Sequence, residues 1–297
     1  MRFGRPAQAV YFGMVDADIS RMQDPLGLFR LGYAEPLLRL QATRWRDGQA
    51  AQSSETIAEE TPVSIVYNGI PHVVMMATPQ DLEDFALGFS ITEELIASLA
   101  DLEHVEVVRY SQGIEIQAQV SKACEEVIAG RTRRLTGRTG CGICGADSVA
   151  MVLKQLHPVQ GGLTIRTETI RRALDSLTTR QTLNAEAGAV HAAGWAGLDG
   201  EVQMVREDVG RHNALDKLIG ALLKSGLHPE SGFVLVTSRA SFEMVQKTTV
   251  LGAPLMAAIS GPTGLAVRVA QQAGLTLVGF ARAGGHTVYT HPERLAP

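Results

Sequence analysis

Cys141 and Cys144 are separated by two residues in the loop Gly140-Cys141-Gly142-Ile143-Cys144-Gly145. A thiol pair at this spacing serves redox exchange, metal ligation or the handling of sulfur. A structural zinc site needs four ligands, normally two such pairs or one pair with closely spaced histidines. Here the third cysteine, Cys124, stands alone and there is no second pair. A dithiol oxidoreductase of the thioredoxin kind sets its first cysteine at a helix N-terminus just after a strand, which lowers the thiol pKa. This pair is set instead among Gly137, Gly140, Gly142 and Gly145, the composition of a mobile loop. Such a loop suits a thiol that receives something in one place and delivers it in another. Arg131, Arg133, Arg134 and Arg138 precede the pair. Nearby cations favour the reactive thiolate, and they also attract phosphorylated ligands. Residue types and spacing leave redox, metal and sulfur uses open, beside the plain reading of a solvated basic loop.

Four further polar groups fall at predicted strand ends. Glu207-Asp208-Val209-Gly210-Arg211-His212-Asn213 leads from a strand into a helix. Asp208 there reads either as a helix cap or, with Arg211 and His212, as part of a polar site. His191 lies in an apolar strand, where a core histidine is commoner than a ligand. Ser238-Arg239-Ala240-Ser241 and Ser260-Gly261-Pro262-Thr263 follow strands and precede helices, where open α/β sheets bind ligands. Phe280-Ala281-Arg282-Ala283-Gly284-Gly285 leaves another strand with one cation and two glycines, a composition that allows close approach to phosphate.

The elements that must position these groups begin at Pro62. Residues 1–60 show little periodicity and are expected to form an N-terminal extension. Val63–Tyr67 and His72–Met76 flank Asn68-Gly69, a hairpin signature. Thr78 is suited to cap a following helix, with Pro79 in its first turn and Leu82, Phe85, Ala86 and Phe89 on one face. Strands are expected over 104–110 and 114–120, completing a small α+β domain over 61–136. A loop from about Gly130 leads to the cysteine loop, assigned to 137–146. Beyond it, helices are expected at 147–156 and 169–177, and paired strands at 189–196 and 202–206. A helix at 211–225 follows, then strands at 233–237, 255–259 and 275–281 alternating with helices at 241–251 and 263–273. This pattern predicts a layered α/β domain over 147–297.

The 297 residues are 45% hydrophobic, enough for a sizeable core and more than one domain. A formal net charge of −4 argues against generic binding to nucleic acid or an acidic membrane. No run approaches the roughly 18 apolar residues of a membrane-spanning helix, and the first residues lack a secretory signal pattern. Three cysteines, two of them near neighbours, point to a reducing compartment, so the expected location is cytoplasmic.

Taken together, the segments resemble the formate dehydrogenase accessory sulfurtransferase (FdhD) family. The matching stretches are Thr61 to Ile70, Asp81 to Phe89, Gly137 to Gly145, Glu207 to His212, Ser238 to Lys247 and Thr287 to Pro292, in the family's order. The resemblance implies a sulfur carrier and sulfurtransferase. Sulfur would come from a cysteine desulfurase as a persulfide on Cys141, with Cys144 assisting. It would pass to the bis-molybdopterin guanine dinucleotide form of the molybdenum cofactor, bound as a client, for formate dehydrogenase. No structural metal is implied. Residues Phe280, Ala281, Arg282, Ala283, Gly284 and Gly285 match the cofactor-binding stretch, although family members commonly have arginine where this chain has Gly285. That departure leaves His286 or the backbone to compensate for a missing cation. The resemblance further implies a homodimer and a cytidine-deaminase-like three-layer α/β C-terminal domain. Deaminase chemistry is not implied, since the zinc motif order is reversed and no glutamate stands two residues after His191.

Overall fold

The computed structural model describes residues 35–135, 158–159 and 162–297, with the backbone alone at 131–135. The cysteine pair and the helix expected at 147–156 lie outside the described residues. Within the stretch expected as an extension there is regular structure. Strand β1 (Leu37–Arg46) pairs antiparallel with β2 (Gln49–Ala58) to make a two-stranded hairpin. Its turn is Asp47-Gly48, both at positive φ (50° and 78°). An Asp-Gly turn between strands that alternate Leu38, Leu40 and Ala42 with Arg39, Gln41 and Thr43 is the signal that reading 1–60 as aperiodic missed.

The small domain follows the expected plan. Strands β3 (Thr61–Tyr67) and β4 (Ile70–Ala77) form the hairpin around Asn68-Gly69, at φ 47° and 82°. Helix α1 (Leu82–Thr92) comes next, then β5 (Leu102–Tyr110), β6 (Gly113–Val120) and α2 (Lys122–Leu135). The sheet order is β4-β3-β6-β5. Val63, Ile65 and Tyr67 of β3 and Ile114, Ile116 and Ala118 of β6 point to one face, where Phe85, Phe89 and Ile128 of the helices close the core. Two expectations are corrected here. The loop expected from about Gly130 is helix to Leu135. Thr78 does not cap α1, whose N-cap is Asp81 at φ 54° with no side-chain bond. Thr78 is used elsewhere, as described below.

The large domain contains β7 (Ile165–Arg166), α3 (Thr167–Arg180), α4 (Thr182–Ala187), β8 (His191–Gly197), β9 (Val202–Asp208) and α5 (Arg211–Ser225). It continues with β10 (Gly232–Val236), α6 (Phe242–Leu251), β11 (Leu255–Ala258), α7 (Gly264–Ala273), β12 (Thr276–Arg282), β13 (Gly285–Val288) and β14 (Leu295–Ala296), which pairs with β7. The main sheet runs β13-β12-β11-β10-β8-β9. Strands β10, β11 and β12 are parallel, and β8 opposes both its neighbours, so β9 shares the direction of β10. Val234, Val236, Met256, Ala258 and Leu277 face α5, α6 and α7. Phe233, Leu235, Leu255, Ala257 and Val278 face α3 on the other side. Burial of both faces explains why these strands read as continuous apolar runs. This is the three-layer α/β arrangement expected of a cytidine-deaminase-like domain.

The two domains meet where α1 crosses α5 at two glycines. A Cβ on Gly88 would lie 1.7 Å from the carbonyl oxygen of Asp216, and one on Gly220 would lie 1.9 Å from that of Asp84. Only glycine lets the backbones approach this closely.

Candidate functional site

The topology gathers the polar groups at one edge of the main sheet. Strands β9 to β12 share a direction, so Asp208, Val236, Ala258 and Arg282 all end there. His191, which opens the opposed β8, is in register with Asp208. The constellations around His191, 207–213, 238–241, 260–263 and 280–285 thus share an edge although they span more than ninety residues.

Their local structure separates them into two sets. Asp208 is fully buried and points into the seam between domains. Its Oδ2 lies 2.7 Å from the buried Lys217 ammonium and accepts from the Thr78 backbone N–H at 3.0 Å. Its Oδ1 accepts from the Gly210 N–H at 2.7 Å and from Asn213 Nδ2 at 3.0 Å. The Thr78 hydroxyl accepts from the Val209 N–H at 3.1 Å, while the Thr78 carbonyl accepts from Lys217 Nζ at 2.9 Å. Asp208 therefore fixes the start of α5 and also ties it to the small domain. A second buried pair is built on Asp216, the residue of α5 next to Lys217. Lys247 Nζ donates to both oxygens of Asp216 at 2.9 Å, to Thr92 Oγ1 at 2.8 Å and to Glu93 Oε1 at 3.1 Å. Burial pulls the Lys247 pKa down, but Asp216 and Glu93 outweigh it and hold the ammonium charged. A third link joins Arg206 to Asp84 at 2.7 Å, with Lys224 on the other carboxylate oxygen.

The second set stays at the open edge. His212 Nε2 lies 2.9 Å from Glu243 Oε2, joining α5 to α6. Burial raises the Glu243 pKa, but His212, Lys247 and Arg211 together bring it below the ordinary carboxylate value. The His191 pKa is lowered, chiefly by burial and then by Arg211, so its imidazole is neutral at pH 7. Ser241 Oγ, at the N-terminus of α6, is buried and has no hydrogen-bond partner among the described residues. Such an orphan needs an explanation, and a ligand acceptor or donor is one.

The loops after β10, β11 and β12 are stitched together. Ala240 pairs with Pro262, Thr263 N–H donates to the Ala240 carbonyl at 3.0 Å, and Phe280 N–H donates to the Ser260 carbonyl at 3.2 Å. Phe280 sits at φ 51°, a left-handed conformation that costs a bulky residue energy. The pairing of β12 with β13 shifts between Gly279 and Arg282. The Phe280 ring lies over Gly261, where a Cβ would come within 2.6 Å of it. The ring is nevertheless half exposed, and with Arg282, Gly284, Gly285, His286 and Thr287 it lines an open depression of about 490 Å³.

The sequence-predicted stretch 280–285 therefore presents a cation, glycines and an exposed aromatic face at the surface. Ala281 is the exception, being buried in the core beneath the sheet. Gly285 has φ 140°, a conformation that L side chains rarely adopt. An arginine at this φ would be strained, although the space around it is open. His286 does not replace the missing charge, because burial lowers its pKa and leaves it neutral at pH 7. The cation that lines this depression is Arg282. Thr287, which opens the last family-matching stretch, joins this lining although it was not among the expected site residues.

A mixed α/β protein with an open depression at the carboxyl edge of its parallel strands is the class these features define. The FdhD/NarQ family model matches residues 58–296, and the chain belongs to that family. A relative from Cupriavidus necator named "Sulfur carrier protein FdhD" is 51% identical over 253 residues, covering 85% of this chain and 88% of the relative. Proteins of the same name from Bordetella bronchiseptica and Xanthomonas axonopodis pv. citri are each 49% identical. They cover 87% and 85% of this chain and 95% and 90% of their own lengths. A crystallised candidate formate dehydrogenase accessory protein from Desulfotalea psychrophila shares the fold, with a TM-score of 0.70 and 24% identity. It covers 88% of this chain and 99% of that one. Among the described residues no helix is long and apolar enough to cross a membrane.

Proposed function

We propose that this chain is a sulfurtransferase that carries sulfur on Cys141 to the bis-molybdopterin guanine dinucleotide molybdenum cofactor, in support of a formate dehydrogenase. The observation that carries this reading is identity near one half, across most of the chain, to proteins named as sulfur carriers, with the Cys141/Cys144 pair present.

The chemistry balances with the residues at hand. The Cys141 thiolate attacks the terminal sulfur of a desulfurase persulfide. The S–S bond breaks, the desulfurase cysteine leaves as thiolate, and Cys141 holds the persulfide. The Cys144 thiolate then attacks the inner sulfur of Cys141, forming a disulfide and expelling sulfide. The two electrons that reduce the carried sulfur come from the two thiols, and a cellular dithiol resets them. The client cofactor carries phosphates, which suit the Arg282 guanidinium, while its guanine suits the exposed face of Phe280. The parallel strands and Asp208 hold this edge rigid, and neither takes part in bond making.

Incubation with a cysteine desulfurase and cysteine should leave one added sulfur on Cys141, read by peptide mass spectrometry and removed by a reductant. Cys141→Ala should abolish both the adduct and formate dehydrogenase maturation. Cys144→Ala should keep the adduct yet slow its discharge. Maturation that survives Cys141→Ala would sink the proposal.

A further inference from the structure

Helix α1 of the small domain is gripped at both ends by ion pairs of the large domain. At its approach, Asp208 accepts the Thr78 N–H at 3.0 Å and Lys217 donates to the Thr78 carbonyl at 2.9 Å. At its end, the Thr92 hydroxyl donates to Asp216 Oδ1 at 2.7 Å and accepts from Lys247 Nζ at 2.8 Å. Between these grips lies the Gly88–Gly220 crossing, where the two helix backbones touch. With 11 residues α1 is about 16 Å long, so the grips fix its direction as well as its place.

Charges are a costly way to join two domains. A buried ion pair gives up hydration that its own attraction offsets only with good geometry, and well-packed apolar residues of similar volume often hold a fold as firmly. What hydrogen-bonded charges add is register, because each bond accepts one partner over a narrow range of angle and distance. Asp208, Asp216, Lys217 and Lys247 stand in or beside the polar stretches at 207–213 and 238–247, yet all four are buried in the seam.

The stretch that carries Cys141 and Cys144 starts on one side of this seam and ends on the other. It starts from α2, which is fixed to the small domain. Asn68 Nδ2 donates to Glu125 Oε2 at 3.0 Å, and Ile128 is buried in the small-domain core. The chain rejoins the large domain at Val159, which is buried in that core and whose N–H donates to the Ala273 carbonyl at 2.8 Å. The seam therefore sets how these two stems stand relative to each other. It also sets how the α2 stem stands relative to the carboxyl edge of the main sheet.

We infer that the Asp208–Lys217 and Asp216–Lys247 pairs are a registration clamp, and that Lys217 and Lys247 are positioning residues for sulfur delivery. By fixing α1 they fix the stem of the cysteine-bearing stretch against the edge where the client is held. The inference rests on the reading of Cys141 as a persulfide carrier and adds the residues that aim it. Loading from a separate desulfurase needs only an accessible thiol. Delivery needs the loaded sulfur to meet a client on the edge, and a misplacement of about 1 Å can slow such a step about 100-fold.

The test is the full chain with Asp216→Leu and Lys247→Met together, which exchanges one pair for apolar residues of similar size. Asp208→Asn with Lys217→Met provides a second, independent variant. Each should melt within a few degrees of the parent and load sulfur on Cys141 at the parent's rate, read by peptide mass spectrometry. Formate dehydrogenase maturation in cells, at equal protein level, should fall by roughly tenfold or more. Genetically encoded spin labels at the exposed Val127 of α2 and Leu198 of the β8–β9 turn report the seam and leave the cysteines native. Their distance distribution should be narrow in the parent and broader in both variants. Variants that keep the parent's distances and maturation overturn the clamp. So do variants whose loading or melting temperature falls in step with maturation, since a purely structural role does that. A parent that takes no sulfur on Cys141 overturns the carrier reading itself, and the delivery role with it.

Discussion

The domain seam and the carboxyl edge of the main sheet are neighbours built from overlapping sequence, yet they treat polar groups in opposite ways. In the seam, Asp208, Lys217, Asp216 and Lys247 are at least nine-tenths buried and every charge faces an opposite one. At the edge, Arg239 and Arg282 are exposed, Ser241 Oγ has no partner among the described residues and Phe280 holds a left-handed backbone. The motif 207–213 straddles the boundary: Asp208 and Asn213 serve the seam, Arg211 and His212 the edge. A polar motif thus marks function only where its hydrogen bonds and charges are left unsatisfied by the protein itself.

The comparison breaks most readily at Lys217. Lys217→Ala strands Asp208 as an uncompensated buried charge and should cost about 3–5 kcal/mol in urea unfolding. Replacing both partners, as Asp208→Asn with Lys217→Met, should cost less than the single change. Equal or greater loss in the double variant would mean the pair is not the seam's electrostatic unit.

Next comes Gly220→Ala. Helix propensity alone favours alanine by nearly 1 kcal/mol. The close approach to the Asp84 carbonyl should reverse that sign and destabilise by about 1–3 kcal/mol, seen as a lowered Tm. A stabilised variant would show that the helices are not held this tightly.

The edge should behave in the opposite manner. Arg282→Ala should leave stability within about 0.5 kcal/mol of the parent. It should weaken a guanine nucleotide probe at least tenfold by calorimetry, since a charge-assisted bond is worth roughly 1.5–3 kcal/mol. Unchanged nucleotide binding would remove the edge depression from the functional reading.

The smallest effect concerns pH. His191 and His286 have lowered pKa values, burial being the first cause in both. The unfolded chain therefore binds more protons than the native one once pH falls below about 6.5. Stability should decline as pH drops through that value towards the lower native pKa values. His286→Gln should remove part of the slope, under about 1 kcal/mol. Stability that rises on acidification across this window would contradict the lowered pKa values.

Much of the fold could be read locally. Asn68-Gly69 predicts its hairpin because a two-residue turn needs positive φ, and α5 ends before Gly226 as expected. The buried strands 233–237 and 255–259 were legible from unbroken apolar runs. Asp47-Gly48 carried the same turn signal, but its strands are rich in arginine, glutamine and small residues, and their apolar face is only partly buried. Thr78-Pro79 looked like a helix start because capping is read from neighbours. Its hydroxyl is instead taken by the Val209 N–H, 131 residues away. Phe280 gave no sign of its conformation, since a left-handed phenylalanine is imposed by the bulge and by packing on Gly261.

By itself the sequence determined the thiol pair, its glycine and arginine setting, the element order and the family. Those depend on residue type and on spacing over a few turns. Tertiary structure alone decided which polar residues are structural and which stay open. It placed His191, Ser241 and Arg282 on one edge, drew Asp208 and Lys217 into the seam and left Gly285 at a φ no arginine favours. Burial and pairing depend on contacts between distant segments, and those form only when the sheet closes and α1 settles across α5.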